Sequence, residues 1–206
     1  MNGRRRWVWP VWAVMSAVGY FLGSYAAFFL GHFVLGNLML PIGIGAGVGL
    51  AQRPVLDRLV GGRPDPLLSL GWPLASALGL LTGFLVGGAA ASLLGVTIPF
   101  ELSWPTGVMV YVASSLVGGL VTGTLQFLLL RPHTSRALWW VLASIIGWAI
   151  SGTGWAIAAR SVGLLPLLLA PTAAGTMLGL STGGSIRWLF GRTTGQTRQE
   201  PDDKPI

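Results

Sequence analysis

Ser16, Ser76 and Ser144, Gln52 and Gln126, and His32 and His133 are the side chains of this sequence whose types and spacing could do chemistry. The three serines recur in the same setting, four residues after a tryptophan and three before a glycine. A serine nucleophile needs a base beside it, and no histidine or lysine recurs at a matching spacing. We read the serines as packing positions. Gln52 and Gln126 each follow a G-x-x-x-G by three residues, near the end of an apolar run. A buried amide there could hold a solute or bond to a neighbouring helix, the latter worth about 0.6 to 2 kcal/mol, and we assign the second role.

His32 stands at the far end of the first apolar run and could in principle hold a metal or pigment. Metal sites take three or four ligands, however, and no second histidine or cysteine lies nearby, so we expect a polar cap. His133, in R-P-H-T-S-R, belongs to a basic turn expected at lipid headgroups. No Asp, Glu, Lys, Arg or His occupies the middle of an apolar run. Proton-coupled transport through a buried carboxylate and intramembrane proteolysis are therefore disfavoured. Cysteine is absent, which removes thiolate and disulfide chemistry. The expectation is no enzymatic activity, no cofactor and no metal.

The elements that must position these residues are apolar runs. Of 206 residues 52% are hydrophobic and only 9% charged, far from the roughly 25% charge of a soluble domain. Six runs, near 7–30, 38–50, 67–94, 106–130, 137–159 and 164–190, approach the roughly 20 residues needed to cross a bilayer as helix. The first, after M-N-G-R-R-R, is longer than a signal-peptide core and lacks a clear cleavage site, so we read it as a retained helix.

The odd runs share one spacing: Trp12, Ser16, Gly19; Trp72, Ser76, Gly79; and Trp140, Ser144, Gly147. Offsets of four and seven residues share one helix face. The even runs carry Gly45 and Gly49, Gly119 and Gly123, and Gly179 and Gly183, and G-A-G-V-G, G-L-V-T-G and G-L-S-T-G align without gaps. In that alignment Ile186 falls where Gln52 and Gln126 stand, so the third copy is degenerate. The fold class expected is an all-α integral membrane protein of six transmembrane helices, arranged as three tandem, parallel-oriented two-helix repeats (about 7–58, 67–131 and 137–190). They form one transmembrane domain over 1–190, followed by a disordered cytoplasmic tail over 191–206. Without a hydrophobic driving force between helices in lipid, the 31 glycines must allow close backbone approach.

The net charge of +7 is distributed by side. Arg4, Arg5, Arg6, Arg53, Arg58, Arg63, Arg131, Arg136, Arg187, Arg192, Arg198 and Lys204 fall on one face of a six-span chain, and Arg160 on the other. This bias places both termini in the cytoplasm of a bacterial cell, the chain in its inner membrane, and the basic groups at anionic headgroups. Nucleic acid is not expected, because the basic residues do not gather with stacking aromatics on one groove. The opposite loops are apolar; Phe100 and Trp104 suit an interfacial belt, with coverage by a membrane-protein partner or by a second copy as the sharper alternative. Within the basic loop, Pro54 suits the first position of a separate short interfacial helix, with Arg53 and Asp57 one turn apart.

With G-L-V-T-G-T-L-Q-F-L-L-L-R, from Gly119, and A-L-W-W-V-L-A-S-I-I-G-W after it, the chain resembles a group of uncharacterised bacterial multi-pass membrane proteins. These carry G-x-x-x-G-x-x-Q-W-x-x-L-R followed by W-W-x-x-A-x-x-x-G-W; Phe127 replaces the tryptophan after the glutamine. The resemblance implies the membrane location and the repeat, and carries over no functional residues. The role expected is a non-enzymatic helix-packing or assembly component, with a channel or facilitator for a small uncharged or lipid-like solute as the alternative.

Overall fold

The computed structural model describes residues 7–31, 38–60, 65–93, 104–158 and 164–190. The chain is all-helical there: α1 (Val8–Gly31), α2 (Met39–Leu59), α3 (Pro66–Leu93), α4 (Trp104–Leu130), α5 (Leu138–Ala158) and α6 (Leu164–Leu189). Helix is the conformation an uninterrupted apolar segment must adopt in lipid, since it satisfies every backbone N–H and C=O within the segment. Four helices are long and apolar enough to cross a membrane, over Val8–Leu30, Pro66–Leu93, Val108–Leu130 and Leu138–Ile157. The remaining two are of comparable length but dilute their apolar residues, α2 with glycine and the Gln52 to Arg58 stretch, α6 with glycine, serine and threonine.

Each helix packs chiefly on its neighbours in sequence, and α6 returns to α1, so the six close into a ring. The surface of that ring is apolar. Leu22, Phe28, Leu78, Leu85, Leu120, Leu142 and Ile157 are among the large side chains exposed on it. The small and polar residues instead face inward: Ser16, Ser76, Ser144, Gln52, Gln126, Thr122, Ser151 and Thr182 are all buried. That inversion suits a lipid solvent, which is as apolar as leucine and gains nothing from hiding it.

Two turns at the arginine-rich end tie helices together. Asp65 caps α3 by accepting the Leu67 N–H at 2.9 Å, with Pro66 in the first helical position. His133 Nε2 lies 3.2 Å from the Asp65 carboxylate, so this histidine links the turn after α4 to the start of α3. Thr134 donates from Oγ1 to the Leu189 carbonyl at the end of α6, and the Arg136 guanidinium lies 4.5 Å from the Trp188 ring centre.

The separate interfacial helix expected after Arg53 does not form. Pro54 lies inside α2, which continues to Leu59. Val55 and Leu56 are buried in the main apolar cluster, and Arg53 and Asp57 pair at 3.6 Å across the proline. Core packing on this last turn and a half outweighs the hydrogen bond that the proline removes. His32, Phe100, Glu101, Arg160 and the tail over 191–206 lie outside the described residues, as does the side chain of Trp104.

Candidate functional site: a polar ring around three tryptophans

Trp12, Trp72 and Trp140 come from α1, α3 and α5, alternate members of the ring, and meet one another on its axis. Their ring centres are 6.3 Å apart for Trp12 and Trp72, 5.8 Å for Trp12 and Trp140, and 5.4 Å for Trp72 and Trp140. All three are essentially fully buried. The two contacts made by Trp12 are edge-to-face, an arrangement worth about 0.5 to 1.5 kcal/mol per pair beyond area burial. With Leu56, Leu130 and Ile186 around them, the indoles fill the arginine-rich end of the axis.

A buried indole N–H needs an acceptor, and the even helices supply it. Trp72 Nε1 donates to Gln52 Oε1 at 2.9 Å, and Gln52 Nε2 donates to Ser16 Oγ at 2.8 Å. Trp140 Nε1 donates to Gln126 Oε1 at 2.7 Å, and Gln126 Nε2 donates to Ser76 Oγ at 3.0 Å. Ser16 and Ser76 in turn donate to the carbonyls of Trp12 and Trp72. Each glutamine thus bridges the helix before it and the helix after it. Both amides are used structurally, and both are at most 4% exposed.

At the closing junction the acceptor is a threonine. Trp12 Nε1 donates to Thr182 Oγ1 at 2.9 Å, and Thr182 donates its own proton to the Leu178 carbonyl. Ser144 has no counterpart of the Ser16 and Ser76 bonds among the described residues. Beside it is a cavity of about 10 Å³, lined by Gln52, Ser76, Gln126, Ser144 and Thr182 and by the apolar side chains of Val48, Trp140, Trp148 and Leu178.

The glycines set how closely the helices approach. Gly19, Gly79 and Gly147 face the even helix that follows each: a Cβ on Gly19 would lie 2.7 Å from Val48 Cα, one on Gly79 2.7 Å from Thr122 N, and one on Gly147 2.6 Å from Thr182 Cγ2. The G-x-x-x-G pairs face the next odd helix. A Cβ on Gly45 would meet Ala77 Cα at 2.6 Å and one on Gly49 Pro73 Cα at 2.5 Å; one on Gly119 would meet Ile145 Cα at 2.9 Å and one on Gly123 Val141 Cα at 3.0 Å.

The third pair is displaced. A Cβ on Gly175 would meet Ala17 Cα at 2.8 Å, and one on Gly179 would meet Ala13 Cα at 2.5 Å. Counted from the tryptophan, Ala17 corresponds to Ala77 and Ile145, and Ala13 to Pro73 and Val141. The pair in register with Gly45/Gly49 and Gly119/Gly123 is therefore Gly175/Gly179. The gap-free sequence alignment on Gly179 and Gly183 is off by one helical turn. Thr182, three residues beyond Gly179, takes the place of Gln52 and Gln126; Ile186 corresponds to Leu56 and Leu130, all three fully buried. Gly183 instead lies under the Trp9 indole, where a Cβ would come 2.5 Å from Cδ1. The arginines do not choose between the registers: Arg187 follows Thr182 by five residues as Arg131 follows Gln126, but it also follows Ile186 by one as Arg53 follows Gln52.

Among the described residues no group of three or more His, Cys, Asp or Glu side chains is placed to hold a metal. Comparison with protein-family models, with curated proteins and with solved structures gives no match to this chain.

Proposed function

We propose that this chain is a bacterial inner-membrane protein of six spans in three parallel two-helix repeats, both termini cytoplasmic, acting as a non-enzymatic packing or assembly component. The observation that carries this reading is the internal use of the polar side chains. The two glutamines and three tryptophans that could meet a solute are hydrogen-bonded to one another and to serine and threonine, and the tryptophans close the axis. A facilitator needs a polar path to stay open at some step, whereas a scaffold needs its helices bridged by internal hydrogen bonds and an apolar exterior for lipid and partners. The six-span reading is supported by ring closure, since α2 and α6 lie between helices apolar enough to span. With the arginine-rich end at the cytoplasmic headgroups, Arg53, Arg58, Arg131 and Arg187 attract anionic lipid.

The test is the native mass of the protein extracted in mild detergent from its own membrane, with identification of what copurifies. A stoichiometric membrane-protein partner is the expected result. A bare monomer or homo-oligomer that passes a small uncharged solute in liposomes would replace this reading with the facilitator.

A further inference from the structure

We infer that the cavity beside Ser144 binds one ordered water, which takes the place of the glutamine amide that α6 lacks. At each of the other two junctions the amide nitrogen supplies a proton to a serine hydroxyl and the amide oxygen accepts from an indole. Thr182 performs only the second task. Its oxygen accepts from Trp12, and its proton is committed to the Leu178 carbonyl, so it has none for Ser144. Threonine is also shorter than glutamine, and Thr182 and Ser144 both line the cavity.

Its volume of about 10 Å³ is near the roughly 10 to 15 Å³ that admits a single water. Ser144 is 2% exposed and lines the space. The other polar groups around it complete the usual three partners of a buried water. A glutamine amide has two N–H donors, and the bonds to Ser16 and Ser76 use one each, so Gln52 and Gln126 retain a proton to give. The hydroxyl oxygens of Ser144 and Thr182 can accept the water's two protons. The site is too small for an organic solute, and no charged group lines it to compensate a dehydrated ion.

The experiment is structure determination of the full chain in a lipid environment, at a resolution that shows ordered waters, for the native protein and for Thr182→Gln. One peak within hydrogen-bonding distance of Ser144 Oγ is expected in the native map. In Thr182→Gln the new amide should occupy that position, bond to Ser144, and abolish the peak. A native map with an empty cavity overturns the inference, as does a peak retained in the variant at full occupancy. Ser144→Ala gives a second reading should Thr182→Gln fail to fold: it keeps the space and removes one partner, so the peak should weaken severalfold, and an unaltered peak would rule Ser144 out as its anchor.

Discussion

The junctions between α2 and α3 and between α4 and α5 are built alike, and the junction that closes the ring, between α6 and α1, is not. At the first two, a glycine pair lies on backbone and a glutamine joins a serine to an indole. At the third, a glycine pair again lies on backbone, but a threonine replaces the glutamine as acceptor for the indole, leaving Ser144 on the preceding helix α5 beside a cavity instead of an amide, and Trp9 covers the extra glycine Gly183 while donating to the Leu180 carbonyl at 3.2 Å. The difference separates two requirements. Close backbone approach is met at all three places, so it is what the ring cannot lose. The polar bridge is met fully at two, so it refines a contact that glycine has already made.

The largest expected effect follows from that ranking. Gly123→Leu forces a side chain into Val141 Cα and Ser144, backbone and a short side chain that cannot turn away. Overpacking of this kind costs about 1 to 3 kcal/mol and sometimes more, and here it parts two helices along their length. Loss of the folded, extractable protein is expected, read as aggregation in size-exclusion chromatography. Gly183→Leu should survive extraction with a lowered Tm, because its first obstacle is the indole of Trp9, a side chain at the surface that can rotate. Equal damage from the two substitutions would dissolve the distinction between backbone-limited and side-chain-limited contacts.

The next effect tests the bridges. Gln126→Leu leaves the Trp140 N–H and the Ser76 hydroxyl without their partner in a buried setting, an expected destabilisation of about 1 to 3 kcal/mol. Thr182→Val strands only the Trp12 N–H and should cost less than Gln126→Leu. Reversible unfolding in mixed micelles, followed by tryptophan fluorescence, measures both. Thr182→Gln runs the comparison backwards. By supplying the third amide it should stabilise the fold by roughly 0.6 to 2 kcal/mol, the scale of a hydrogen bond between membrane helices. A destabilised Thr182→Gln protein with intact secondary structure would mean that the closing junction is shaped for threonine.

Most of the ring was legible in the sequence, and the places where it was not have physical causes. Long uncharged runs admit little besides helix in lipid, and the W-x-x-x-S-x-x-G spacing marked the inward faces of α1, α3 and α5. Register was ambiguous because α6 carries Gly175, Gly179 and Gly183 at equal intervals on one stripe. Any two successive glycines satisfy the same pattern, and the approach of Gly175 and Gly179 to Ala17 and Ala13, the Trp12 to Thr182 bond and the Trp9 cover decide between them. Pro54 misled for a related reason: a proline marks a helix start or interrupts one, and burial of Leu56 in the tertiary core determines which. The mutual contact of the three indoles was hidden because it depends on three helices converging, which no single segment records.

Gly183 and Gly184 offer the finest version of the comparison, since they are adjacent and face different surroundings. A Cβ on Gly183 would strike Trp9, whereas one on Gly184 would have nothing within 4 Å among the described residues. Glycine in a helix interior is less favourable than alanine by about 0.8 to 1.0 kcal/mol in water. The gain in lipid is smaller wherever the unfolded reference keeps its helix, so Gly184→Ala is expected to raise stability by a few tenths of a kcal/mol. Gly183→Ala carries the same propensity gain but must also displace the indole, and the net change should be a loss. Opposite signs for two neighbouring glycines in the same unfolding assay would show that α6 keeps Gly183 for its contact with α1, while Gly184 makes none. A loss of stability in Gly184→Ala would mean that Gly184 is held by a contact beyond those of the described residues, and the distinction between the two glycines would fall.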